Sequence, residues 1–324
     1  MARLPVGVIG VGALGQHHAR HLAALPHAAL VGVHDVDAVR GRTVAEACRT
    51  RFYSDLDALL ADVEAVTVAV PTRSHAEVGL EALRRGRAVL MEKPLAVSLE
   101  EADALVAESD RQGVPLQVGH VERFNRAVRA ARPVLEDPRY FESDRLAPFQ
   151  SRGADVAVVL DLMIHDLDLI LHLTGGSAVS EVRASGVAVL TPHLDMANAR
   201  VEFASGAVAN VTASRMARER VRRLRIFQPN GYLSLDLGEG RGRFMRLREG
   251  WRNSGSSRME DIVEQVALDA PEADALALEL ESFIGTVRGE SRGAVSGVEG
   301  RAALALALQV SEAVQRSSAV AGNR

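Results

Sequence analysis

Three glycines near the start of the chain constrain its fold more than any other feature. In "GVIGVGALGQHHARHL", Gly10, Gly12 and Gly15 stand in G-x-G-x-x-G spacing between a β-rich run and a helical pattern. The first glycine of such a set makes the tight turn, the second lets a pyrophosphate approach the backbone, and the third lets the helix pack on the strand. Asp35 closes the second β-rich run 20 residues beyond Gly15, where a carboxylate accepts hydrogen bonds from an adenosine ribose. The alternative is a purely structural glycine turn. The expected dinucleotide site comprises Gly10, Gly12, Ala13, Leu14, Gly15 and Asp35. Asp35 favours NAD because a carboxylate repels a 2′-phosphate. Arg40 and Arg42 offset part of that repulsion, so NADP is the less favoured cofactor.

The rest of the first 119 residues agrees with this opening. Short β-rich runs ("VGVIG", "ALVGVHD", "RFY", "AVTVAV", "AVLME", "PLQVGH") alternate with helical patterns, which predicts a parallel sheet with helices on both faces. One helix is punctuated in full, with Ser98 as N-cap, Glu101 completing a capping box and Gly113 just past its end. His17, His18 and His21 follow the third glycine, but the positive helix end disfavours a cation there. They are assigned to packing or hydrogen bonding.

After about residue 120 the character changes. "ANARVEFASGAVANVTASR" turns at Ser205-Gly206 and "RRLRIFQPNGYLSLDL" at Asn230-Gly231, describing antiparallel hairpins. The fold class is α/β: a doubly wound Rossmann sheet over 1–119, then an α+β domain with a large, mostly antiparallel sheet over 120–324. A closing helix near 299–317 is expected to pack back on the first domain. No Pro/Gly/Ser-rich linker separates the halves, so a shared cleft for a small molecule is expected.

Composition excludes other classes. A net charge of −4 and pI near 6.2 give no drive toward nucleic acid or anionic membrane, and aromatics at 4% leave little for stacking bases. The single cysteine, Cys48, excludes an intramolecular disulfide and suits a reducing compartment. With no signal-like start and no apolar run of about 20 residues, a soluble cytoplasmic protein is expected.

The run "DVAVVLDLMIHDLDLILHLTGG" is apolar almost throughout, yet Asp161, His165, Asp168 and His172 fall at i, i+4, i+7 and i+11. At roughly 100° per residue these lie within about 60° of one another on a helix face. A solvent face is one explanation, although solvated stripes are usually rich in Lys, Glu and Arg. A functional face is the other. A metal site would need ligands converging from elsewhere; beyond His193 and Asp195 no candidates are seen, and no metal is expected.

The fifth β-rich run ends in Glu92-Lys93-Pro94. Together with the glycine motif, "VPTRSH" at 70–75, "VERFN" at 121–125 and "DLMIH" at 161–165, this resembles the glucose-fructose oxidoreductase and inositol dehydrogenase (Gfo/Idh/MocA) family over essentially the whole chain. The resemblance implies an NAD(P)-dependent oxidoreductase in which Lys93, Asp161 and His165 are active-site groups. It implies that Pro71, Thr72, His75 and Glu92 lie beside the cofactor, and that the Lys93–Pro94 peptide is cis. In the implied reaction a secondary alcohol loses hydride to the nicotinamide and a proton to a base, His165 being the choice and Lys93 the alternative, since a lysine in a cleft can have a lowered pKa. Lys93 favours the developing negative charge, and Asp161 orients the imidazole or a neighbouring hydroxyl. His120, Glu122, Arg123, Asn125 and Arg152 are candidates for substrate choice, with a polar hinge as the alternative for the first three.

Two further stretches, "RLAPFQSRGADVAVVLDLMIHDLD" and "RIFQPNGYLSLD", resemble a subgroup that oxidises the 3-hydroxyl of UDP-N-acetylglucosamine. "SRMARERVRRLR" at 214–225 concentrates six arginines that can meet a pyrophosphate or, alternatively, form a solvated or intersubunit strand; Arg145 and Arg152 are better placed for a pyrophosphate. Other readings are an inositol or free-sugar dehydrogenase, an NAD-dependent glycosidase and a non-catalytic NAD-bound sensor. The sensor would need neither Lys93 nor His165. A homodimer or homotetramer through the second sheet is expected, because long alternating runs otherwise leave broad apolar area wet.

Overall fold

The computed structural model of the chain describes residues 2–150, 153, 156–253 and 255–322, with side chains to Ser317. Its contacts divide it into two units: residues up to Val121 together with Ala273–Leu304, and Glu122–Glu272 together with the residues from Ala305 on.

The first unit alternates β1 (Leu4–Ile9), α1 (Gly15–Ala24), β2 (Ala28–His34), α2 (Ala38–Ala47), β3 (Arg51–Tyr53), α3 (Leu56–Asp62), β4 (Ala65–Val68), α4 (His75–Arg84), β5 (Ala88–Glu92), α5 (Leu99–Gln112) and β6 (Leu116–Gly119). The strands form one parallel sheet in the order β3-β2-β1-β4-β5-β6. The strand order reverses between β1 and β4, and ligands of such sheets bind outside the carboxyl ends at that point. Strand β4 is buried at every position and β1 at all but one, as near-continuous apolar runs require when helices cover both faces. Helix α5 carries the expected punctuation: Ser98 accepts from the Glu101 N–H, and Gly113 takes a φ of 66°.

The second unit holds α6 (Arg126–Ala131), β7 (Tyr140–Leu146), a π-helical turn (Val159–Met163) leading into α7 (Ile164–Leu173), then β8 (Val179–Val187), β9 (Met196–Phe203), β10 (Val208–Ser214), β11 (Val221–Gln228), β12 (Gly231–Asp236), β13 (Arg241–Leu247), α8 (Met259–Ile262) and β14 (Val263–Leu268). Eight strands make one sheet in the order β14-β13-β12-β11-β7-β10-β9-β8. Only β7 and β10 pair in parallel. Its hairpins turn at Gly206 and Gly231, both at positive φ, and a side chain on Gly231 would overlap the Met245 carbonyl. The central strand β7 has no counterpart in the sequence reading. Its inward residues Phe141, Ser143 and Arg145 are one apolar and two polar, so the alternating apolar signal is absent.

The chain then returns to the first unit, and 120–324 does not stay together as one segment. Helix α9 (Ala275–Val287) places Leu280, Phe283 and Ile284 in the core formed by Val6, Val8 and Leu22 of that unit. The last helix, α10 (Gly297–Gly322), belongs to the first unit up to Leu304. Among the described residues no helix is long and apolar enough to cross a membrane.

Candidate active site

In the first unit, the turn from β1 into α1 is built by its glycines. Gly10 has a φ of 81°, and a side chain there would come within 2.8 Å of Val70 Cγ1. A side chain on Gly15 would overlap the Gly10 carbonyl, whereas one on Gly12 would meet no atom within 4 Å. So Gly10 and Gly15 serve the chain's own packing, and Gly12 faces open space. Ala13 and Leu14 are exposed beside it. No side chain caps α1 at Leu14, and its first turn carries no acid, which leaves the positive helix end to an anion. The cradle fits a dinucleotide pyrophosphate.

Asp35 is buried at the end of β2. One oxygen accepts from the Val11 N–H at 2.8 Å and Arg40 Nε at 3.1 Å; the other accepts from the Asp37 N–H at 2.8 Å and Arg40 Nη2 at 2.7 Å. These occupy all four acceptor positions of a carboxylate. Burial pushes the Asp35 carboxyl up, but the Arg40 and backbone hydrogen bonds outweigh it and hold it below the usual range.

At the end of β4, Pro71 is exposed and Thr72 half-buried in a single 3-10 turn. His75 is buried, with Nδ1 2.9 Å from the Pro94 carbonyl and Nε2 3.0 Å from that of Val70. It ties the turn after β4 to the turn after β5. Burial lowers its pKa more than those carbonyls raise it. At the end of β5, Glu92 Oε1 meets His18 Nε2 at 2.9 Å, while Oε2 accepts from the Lys93 N–H at 3.2 Å. Burial pushes Glu92 up, and the His18 bond and charge, with Lys93, more than offset it. His18 thereby links α1 to the turn that presents Lys93, a partnership sequence spacing did not reveal. Lys93 itself is half-buried, and its bond to Pro94 is cis. His120 is buried just past β6.

In the second unit the striped helix divides into parts with different tasks. Asp168 is 1% exposed and receives Arg123 through two bonds, Nε at 2.8 Å and Nη2 at 2.6 Å. His172 stands 3.3 Å from Arg123 and 3.4 Å from Arg132. A solvent face does not describe this end of the stripe. Asp166, off the stripe, is equally buried and takes Arg145 at 2.7 and 3.0 Å, and Arg145 also donates to Glu122 at 2.9 Å. Burial pushes the Asp166 carboxyl up, with Arg145 opposing. Burial lowers Arg145, but attraction to Asp166 and Glu122 prevails and raises it. Asn125 caps α6 and donates to Glu122 at 2.9 Å and the Leu237 carbonyl at 2.8 Å. Glu122, Arg123 and Asn125 are therefore engaged in the framework of the unit. Arg152 lies outside the described residues.

Asp161 and His165 are both half-buried. Asp161, within the π-helical turn, lines a cavity of about 230 Å³ with Arg145, Gly153, Arg215, Arg220 and Arg222. Sequence reasoning noted the arginine run but not that three of its members share a cavity wall with Asp161. A larger cavity of about 480 Å³ in the first unit, lined by Leu25, His27, Glu281 and Arg292, sits where β2 begins. That is the edge of the sheet opposite the ligand edge. Asp195 accepts from the N–H groups of Val189, Leu190 and Thr191 and the Thr191 hydroxyl. No cluster of three metal-ligating side chains occurs among the described residues.

Comparison with known proteins places this geometry. Residues 4–120 match the model of an oxidoreductase family with an NAD-binding Rossmann fold, and residues 119–234 match the GFO/IDH/MocA C-terminal domain. The chain is 42% identical over 316 residues, 97% of its length and 98% of the relative's, to UDP-N-acetylglucosamine 3-dehydrogenase of Acidithiobacillus ferrooxidans. A solved structure of that protein superposes with a TM-score of 0.90, covering 98% of this chain and 99% of the other. Myo-inositol 2-dehydrogenase of Thermotoga maritima is 27% identical over 97% of both chains. GenD2 from gentamicin A biosynthesis, solved in complex with NAD, shares the fold at 23% identity, with a TM-score of 0.80 over 98% of this chain and 95% of the other.

Proposed function

The chain belongs to the GFO/IDH/MocA oxidoreductase family, and from that premise we propose that it oxidises the 3-hydroxyl of UDP-N-acetylglucosamine with NAD. The observation that carries this reading is the near full-length similarity to a UDP-N-acetylglucosamine 3-dehydrogenase. Lys93 at the end of β5 and His165 on α7 supply the polar groups the reaction needs.

NAD held along the glycine turn supplies the hydride acceptor. His165 takes the proton of the substrate hydroxyl as general base. Lys93 donates a hydrogen bond to the same oxygen and stabilises the negative charge that develops as hydride departs. Asp161 orients the substrate or the imidazole. Asp35 would hold the adenosine ribose in place of the Arg40 side chain, which is 45% exposed, and its charge disfavours a 2′-phosphate, which favours NAD over NADP. The lone Cys48, half-buried, suits a reducing compartment such as the cytoplasm.

The half-exposed sheet face of the second unit carries Tyr140, Phe227 and Tyr232, with ring centroids 5.8 and 5.3 Å apart. Arg225–Glu142 and Arg223–Asp144 ion pairs flank this aromatic row. Such a mixed surface supports assembly of two copies through this sheet.

The test is NADH formation from NAD with UDP-N-acetylglucosamine, other UDP-sugars, myo-inositol and free sugars, with the product identified by mass and NMR. The expected result is NADH and a 3-keto nucleotide sugar in equal amounts. NADH formed only with inositols or free sugars would reject the substrate, and hydrolysis without NADH accumulation would favour a glycosidase.

A further inference from the structure

We infer that the arginine-lined cavity beside the π-helical turn seats the diphosphate of the substrate, and that Arg220 and Arg222 are the groups that hold it. The inference rests on the nucleotide-sugar reading above and assigns the residues that select such a substrate over a free sugar or inositol.

Four arginines, Arg145, Arg215, Arg220 and Arg222, line this space with Asp161 as the single acidic lining residue among the described residues. Two of the four are answered from behind. Arg145 is held by Asp166 and Glu122. Arg215 donates to the Gly153 and Val156 carbonyls at 2.8 and 2.7 Å, with Asp195 3.9 Å from its Nε.

The other two are not balanced in this way. Arg222 has Glu122 at 3.6 Å, but that oxygen already accepts from Arg145 at 2.9 Å. Arg220 is exposed and forms no ion pair among the described residues.

The sheet register sharpens the point. Arg222 on β11 stands directly opposite Arg145 on β7, and like charges directly opposite on neighbouring strands are destabilising. Burial lowers the pKa of Arg222, and the neighbouring Arg145 charge lowers it further. A bound anion relieves that repulsion, and guanidinium forks match phosphate oxygens two at a time. A cavity of 230 Å³ is below the roughly 300–1,000 Å³ of whole small-molecule sites, so it takes a fragment. With Asp161 on the same wall, four residues before His165, a sugar linked to a diphosphate seated here leads its hydroxyls toward the catalytic helix.

The experiment is calorimetric titration of UDP, with uridine as the phosphate-free control. It is done on the unmodified protein, Arg220→Ala, Arg222→Gln, the charge-retaining Arg222→Lys, and Arg223→Gln on the other sheet face. UDP is expected to bind the unmodified protein far more tightly than uridine. Affinity for UDP should fall at least ten-fold in Arg220→Ala and Arg222→Gln and less in Arg222→Lys, and stay unchanged in Arg223→Gln. KM for UDP-N-acetylglucosamine should rise in step while kcat stays within about two-fold, as loss of uniform binding dictates. No UDP binding, UDP bound no better than uridine, or equal affinity in all variants overturns the inference. If UDP binds and the variants lose it, but another substrate is oxidised, the cavity assignment stands and the UDP-N-acetylglucosamine reading falls. If UDP-N-acetylglucosamine is oxidised with unchanged KM in both variants, the reverse holds.

Discussion

The nucleotide turn of the first unit and the charged interior of the second solve opposite problems. At the turn, backbone does the work: Gly10 and Gly15 clear space for the chain, Gly12 leaves space for a ligand, and the helix end supplies the positive potential. The fully buried ion pair of the second unit, Arg123–Asp168, and the Arg145–Glu122–Asp166 cluster are made of long side chains from the segment before α6, from β7 and from α7. A backbone site tolerates side-chain change around it. A buried charge network tolerates little, because each ion loses hydration and depends on its partner.

The largest expected effect follows directly. Arg123→Met leaves Asp168 without its guanidinium in a 1% exposed position, and should cost about 3–5 kcal/mol in denaturant unfolding. Lys93→Ala, in a half-buried turn framed by backbone, should leave the unfolding midpoint nearly unchanged. Equal stabilities of the two variants would break the contrast.

The next effect is on turnover. Lys93→Ala and His165→Ala should each lower kcat about 100-fold or more, the scale of positioned acid-base and electrostatic groups, with NADH affinity measured by fluorescence held constant. A weakened NADH affinity of the same size would instead assign them to cofactor binding.

At the ribose, Asp35→Ser should reduce the preference for NAD over NADP about ten-fold, near 1.4 kcal/mol. Arg40→Ala should strengthen that preference, since it uncovers the Asp35 charge. Steady-state kinetics with both cofactors reads the two variants, and equal use of NAD and NADP by the unmodified protein would remove Asp35 from this role.

The smallest effect concerns acid. Burial holds His75 below its ordinary pKa of 6.5 in the folded state, so unfolding takes up a proton there. The stability contributed by the neutral ring is fully present above pH 6.5 and is lost as pH falls through the folded value. His75→Gln should flatten the fall of melting temperature with pH on the acid side of 6.5; an unchanged slope would show that other groups govern it.

The same contrast explains what could be read from the residues alone. Glycine spacing, strand runs and the Asp35 position are local, so the parallel sheet was legible in order. The stripe on α7 was visible, but its partners were not: Arg123 lies 45 residues before Asp168 and Arg145 lies 21 before Asp166. Pairings across such separations leave no period in the sequence. The same network hid β7, whose inward Ser143 and Arg145 break the apolar alternation. Helix α9 reads as a generic apolar helix, and nothing in its composition names the sheet it covers.

The central claim is that Lys93 and His165 act on one oxygen of the substrate. The direct measurement is kcat for Lys93→Ala, His165→Ala and the double variant with UDP-N-acetylglucosamine and NAD, with NADH binding as the control. Groups that work as a unit are strongly non-additive, so the double variant should be little slower than the slower single variant. Losses that multiply, or a His165→Ala variant of near-normal turnover, would contradict the account.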